Sequence, residues 1–171
     1  MRVWKDIISG DEMVSDSYPY EEIFDGAGLE VKASFVTKKN NEDFGVSANT
    51  DEGEDESKPD ESTTTVVDVI EGMRLSEISL DKKSFMAYIK GYLKTIKEKL
   101  EANGKTARIA PFQKGATELV KQLVGKWDEV QVFTGESGDW EGALGFCYMK
   151  EQTDAGPTFY FFLDGLRQEK Y

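Results

Sequence analysis

Histidine is absent from the 171 residues of this chain. Its absence removes the commonest general base, the side chain that changes charge near neutral pH and the commonest zinc ligand. A serine or cysteine nucleophile would lack its usual imidazole partner. Cysteine occurs once, as Cys147, so no intrachain disulfide can form and a reducing cytoplasm is the expected setting. No apolar run reaches the roughly 18 residues of a membrane-spanning helix. The opening MRVWKDIISGDEM has neither an apolar core nor a small-residue cleavage site and does not read as a signal peptide. GxxxxGK(S/T), GxGxxG and CxxC are all missing, which argues against a phosphate cradle or a zinc knuckle. No required cofactor is expected.

Charge is what the chain has in abundance, and it is unevenly placed. The net charge is −12. Residues 82–126 hold 11 bases against 3 acids, a local +8, which leaves −20 for the rest. A basic segment set in an acidic body argues for recognition or solubility. It opposes general binding to nucleic acid, whose phosphates the body would repel. The length suits a single domain over residues 1–171, large enough to bury a core.

Strand signals come first. Residues 1–48 read as strands and turns, with Leu29–Val36 alternating as one half-buried strand and Val66–Ile70 as another. Between them, residues 49–65 carry seven acids and no large apolar side chain, so a mobile acidic loop is expected. The period then changes. Phe85, Ile89, Leu93, Ile96 and Leu100 form a helical stripe, which Asp81 can cap and Asn103–Gly104 can close. A second stripe runs Ile109, Phe112, Ala116, Leu119, Val120, Leu123, Trp127, with Pro111 early and Gly125 at its exit. The short connection predicts an antiparallel, basic helical hairpin over about 81–126. Strands return at Val130–Phe133, Ala143–Met149 and Thr158–Leu163. Strands, helices, then strands is an α+β order.

Lys90, Lys94 and Lys97 recur at i, i+4 and i+7 and share one helix face. That face is either simply solvated or a docking face for an acidic partner. Within residues 82–100 Glu98 is the only acid, so pairing along the helix does not explain the lysine excess. Cys147 lies in an apolar strand pattern and reads as core. The acids of residues 51–61 could hold calcium, but without EF-hand spacing, so any site at Asp51, Glu52, Glu54, Asp55 and Glu56 should be weak.

Four blocks in order, KDIISGDEMVSDSY, AYIKGYLKTIKEKL, FTGES and FFLDGL, resemble the translationally controlled tumour protein family over residues 1–171. Residues 44–55, FGVSANTDEGED, match that family's acidic-loop block only loosely, and GESGDWEG departs from its usual GE-N/S-M-x-P-D/E-G pattern. The resemblance implies a β-tent body of antiparallel strands with a protruding two-helix antiparallel hairpin. That fold is shared with a Rab-associated zinc-binding chaperone family and with one class of methionine sulfoxide reductases. The cysteines of neither are present, so shape carries over and chemistry does not. The resemblance also implies a non-enzymatic cytoplasmic regulator linked to growth and survival, with weak calcium binding and binding to tubulin or microtubules through the basic hairpin. A chaperone or nucleotide exchange role for a Ras-class small GTPase is the alternative, with Glu12 and Lys90 as contacts. A reductase-like enzyme is the third reading. Pro19, inside SYPYEEIFDG, disfavours the survival-protein-binding helix suggested there.

Overall fold

The computed structural model describes residues 1–39, 63–151 and 154–170. Strand β1 (Arg2–Asp6) lies between β2 (Glu12–Ser15) and the last strand, β11 (Leu166–Lys170), in a three-stranded antiparallel sheet. A six-stranded antiparallel sheet is formed by β3 (Tyr20–Ile23), β4 (Gly28–Lys32), β10 (Thr158–Phe162), β9 (Gly145–Tyr148), β8 (Gln131–Thr134) and β7 (Ser76–Ile78), in that spatial order. A separate ribbon pairs β5 (Phe35–Lys39) with β6 (Thr63–Val67). The α-helices among the described residues are α1 (Asp68–Met73), α2 (Lys82–Ala102) and α3 (Ile109–Gly125), and short 3-10 turns lie at Thr106–Arg108, Trp127–Glu129 and Leu163–Gly165. The expected mixture of helices and antiparallel sheet is therefore what the chain adopts.

Every residue of β10 is buried, which places this strand at the centre of the core. Register puts Phe146, Tyr148, Tyr160 and Phe162 on one sheet face. The helices cover that face. Phe85 meets Phe146 edge-on at 5.3 Å, Tyr92 meets Phe162 at 6.1 Å, and the Gln122 amide donates to the Tyr148 hydroxyl.

The hairpin is antiparallel. Phe85, in the first turn of α2, stacks at 4.6 Å on Trp127, just past the end of α3. The Asp81 carboxylate accepts from Ser84 N–H at 2.7 Å, and this bond holds its pKa below the usual range. Gly104 closes the helix with φ +73, a conformation that suits glycine. Pro111 lies in the first turn of α3 and Gly125 is its last residue. Both helices lie lengthwise on the body. The buried stripe of α2 is Phe85, Ile89, Tyr92, Ile96 and Leu100, and burial of Phe85, Ile89, Ile96 and Leu100 is worth about 1.5–3 kcal/mol each. Surface ion pairs at about 0.3–0.5 kcal/mol could not hold it there. Tyr92 takes the buried position expected of Leu93, which is only half buried.

Three local readings need correction. Leu29–Val36 is two strands, broken at Ala33–Ser34, where Ala33 N–H donates to Pro157 O and Ser34 N–H to the Asp68 carboxylate at 2.8 Å. The break sends β4 and β5 into different sheets. The strand at Val66 ends at Val67, because the Asp68 carboxylate also takes Val69 N–H and starts α1. Thr63–Thr65, expected in the acidic loop, form β6 against Thr37–Lys39, as a β-branched run favours. The rest of that loop, residues 49–62, lies outside the described residues. Tyr20–Ile23 is strand β3, so the stretch after Pro19 is extended, not helical.

Candidate interaction faces

Lys90 and Lys94 are exposed and Lys97 partly so, on the side of α2 turned away from its buried stripe. Among the described residues, none of the three forms an ion pair, whereas seven other pairs are made. Met86 extends the same stripe and is 44% exposed. Positive charge is thus held on a fixed helix, unneutralised by the acidic body.

Glu12 is exposed and opens β2 beside a register shift opposite Trp4 and Lys5. It and Lys90 belong to different elements, and one loop ties the two together. The Asp11 carboxylate accepts from both N–H and hydroxyl of Ser137, at 3.2 and 2.6 Å. The Tyr88 hydroxyl, two residues before Lys90, donates to the Gly142 carbonyl at 2.7 Å. Asp6, buried at 3% exposure, accepts from Ile8 N–H at 2.9 Å, from the Ser9 hydroxyl at 2.6 Å and from Ala143 N–H at 2.8 Å. The loop from Gly135 to Ala143 is therefore fastened to the β1–β2 turn at both ends and to α2. Sequence reading missed Asp6, Asp11 and Tyr88 in this role. The only local signal was the Gly-rich turn of FTGESGDWEG.

Burial pushes the Tyr88 phenol well above its ordinary pKa, with Tyr92 and Asp6 adding to the effect. Tyr92 is raised in the same way by burial, then by Asp6 and Asp164. Both stay neutral phenols near pH 7. Cys147 is fully buried, and burial followed by Glu77 pushes its thiol up to about 12. It holds its proton at neutral pH, and the thiolate is the reactive form. The arrangement can present fixed charge and surface to a macromolecule; among the described residues it sets out no nucleophile beside a base. Asp51, Glu52, Glu54, Asp55 and Glu56 lie outside the described residues.

The molecule is thus an antiparallel-sheet α+β protein with a charged helical hairpin laid on its body. The sequence pattern of the translationally controlled tumour protein family matches residues 1–167. A homologue from Dictyostelium discoideum is 40% identical over the whole of both chains, and one from Schizosaccharomyces pombe is 37% identical, again over the whole of both. The solved structure of the tumor-associated protein p23fyp from S. pombe matches all of both chains with TM-score 0.81 at 36% identity. That of the Caenorhabditis elegans protein matches with TM-score 0.67 at 25% identity, covering 100% of this chain and 99% of the other. The chain belongs to the translationally controlled tumour protein family, whose members are regulatory proteins of growth.

Proposed function

We propose that the chain is a non-enzymatic, cytoplasmic regulator that works by docking partners, and that its principal docking face is the Lys90, Lys94, Lys97 stripe. The carrying observation is that three lysines on one rigid helix lack any ion-pair partner among the described residues. An acidic partner is the complement, and tubulin, with its acidic tails, is the candidate the family suggests. A single, buried cysteine agrees with a reducing compartment. Weak calcium binding by Asp51, Glu52, Glu54, Asp55 and Glu56 belongs to the same reading.

Exposed charges act mainly by steering and are screened over about 8 Å at physiological ionic strength. Binding should therefore weaken steeply with salt, chiefly in the association rate. The test is microtubule co-sedimentation by the triple variant Lys90→Glu, Lys94→Glu, Lys97→Glu. Loss of co-sedimentation with an unchanged circular dichroism spectrum is expected, since glutamate also favours helix. A folded triple variant that co-sediments like wild type would leave the stripe a solvated face.

A second reading, a chaperone or exchange factor for a Ras-class small GTPase, is favoured by the loop that links the Glu12 turn to the Tyr88–Lys90 turn of α2. Nucleotide release from such a GTPase separates the two readings. Impairment by Glu12→Ala and by Lys90→Glu, with Lys94→Glu and Lys97→Glu silent, would favour the second.

A further inference from the structure

Tryptophan is seldom left in water. Trp4 is 2% exposed and Trp127 is stacked on Phe85, but Trp140 is 51% exposed, makes no ring contact among the described residues and stands outside the core cluster. We propose that Trp140 is the anchor of a second docking site, one that takes a cationic segment of a partner protein and stacks an arginine of that segment on its indole. The proposal does not rest on the lysine face or on the GTPase reading.

Exposure at the tip of a loose loop would mean little, and this loop is held closely. Gly138 N–H donates to Gly135 O at 3.0 Å with φ +75 at Gly138. Ser137 is held twice by Asp11, Arg74 pairs with Glu136 at 3.1 Å, and Glu141 N–H donates to the Asp139 carboxylate at 2.8 Å. Gly142 and Ala143 are held by Tyr88 and Asp6. The loop backbone on either side of Trp140 is thus held in place, so a partner would lose less entropy in ordering the segment that carries the indole. Tryptophan is among the residue types around which binding energy concentrates.

The surroundings select the partner. The loop that carries Trp140 also holds Glu136, Asp139 and Glu141, and Ser137 of the same loop is bonded to Asp11, the residue before β2. Arg74, on Glu136, is the only cation the described contacts bring to this loop. An exposed, electron-rich ring on an acidic loop favours a cation, and a planar guanidinium above an ammonium. With one basic and one acidic face, a single molecule could hold partners of opposite charge at once.

The test uses the full chain and fluorescein-labelled tetra-arginine and tetra-lysine peptides, read by anisotropy near physiological salt. Wild type should prefer tetra-arginine. Trp140→Ala should weaken that peptide about two- to fivefold and erase the preference, while Trp140→Phe keeps most of it. Equal binding of tetra-arginine by wild type and Trp140→Ala would overturn the proposal, because the peptide would then be held by acids elsewhere. Self-association of wild type that disappears in Trp140→Ala, measured by sedimentation, would overturn it too, making a second copy with its basic hairpin the occupant. If Trp140→Ala loses its fold, acrylamide quenching of wild type decides: bound tetra-arginine should shield the exposed indole, and no shielding counts against the site.

Discussion

The Asp6 carboxylate accepts a hydrogen bond from Ala143 N–H at 2.8 Å across 137 residues of sequence. It also holds Ile8 N–H and the Ser9 hydroxyl. One buried side chain therefore fixes the β1–β2 turn and the loop that carries Trp140. Removing it leaves three donors without their acceptor, and bonds to charged groups contribute about 1.5–3 kcal/mol each, not additively. Asp6→Ala should lower unfolding stability by about 3 kcal/mol or more. Denaturant titration checks the size, and faster amide exchange at Ala143 checks the place. A loss under about 1 kcal/mol would mean that water replaces the carboxylate.

Gly142 sits against the same carboxylate. A β-carbon there would land on Asp6 Oδ2, and the neighbour is a buried, hydrogen-bonded group that cannot easily move. Gly142→Ala should cost about 1–3 kcal/mol by overpacking, measured in the same titration. A neutral result would show that the Asp6 clasp yields.

Arg108 ties the helix–helix connection to the body. Its Nε and Nη2 donate to the two oxygens of Asp164 at 2.9 and 2.8 Å, and Nη1 donates to Asp25 O at 2.9 Å. The Asp164 hydrogen bonds push its pKa upward. The Asp164 side chain is only 9% exposed, that of Arg108 32%, so the pair is partly screened. Arg108→Met should cost about 1–3 kcal/mol, discounted from the larger loss seen for fully buried pairs. Arg108→Lys should recover only part, since an ammonium cannot donate along the fork. Full rescue by lysine would show that charge alone matters there.

Local signals made the hairpin legible. The stripe of Phe85, Ile89, Ile96 and Leu100, the Asp81 cap and Gly104 all lie within a few residues of the structure they specify. What was not legible depends on distant residues. The division of Leu29–Val36 into β4 and β5 is set by Pro157 and Asp68. Strand β7 has three residues, too few for a period to show, and exists through pairing with β8. Tyr92, not Leu93, fills the stripe, and it meets Phe162 of β10, a residue far away in sequence. The lysine face was readable from spacing alone. The clasp of Asp6, Asp11 and Tyr88 was not, since its partners come from residues 135–143.

Calcium binding at Asp51, Glu52, Glu54, Asp55 and Glu56 should be weak, with Kd of roughly 10⁻⁴ to 10⁻³ M, because the carboxylates lack a fixed ligand spacing. Replacing the five by Asn and Gln should abolish the titration heat. A micromolar site, or one that survives the five changes, would locate the ligands elsewhere.

Cys147 provides a test with a definite sign. Burial raises its thiol to about 12, while an unfolded chain titrates near about 8.5. Below about 8.5 both states keep the proton, and the favourable contribution is complete. Between there and about 12 the folded state binds more protons, so stability must fall as pH rises through that window. The phenols of Tyr88, Tyr92 and Tyr160 are raised too and act in the same direction. They are common to wild type and Cys147→Ala, so the difference between the two isolates the thiol. Unfolding free energy measured from about pH 8 to about pH 10.5 should fall more steeply for wild type than for Cys147→Ala. The folded thiol should also resist a disulfide reagent at neutral pH and react once the chain unfolds. Parallel profiles together with rapid labelling of the folded protein would mean a thiolate near neutral pH, and would reopen the reductase-like reading.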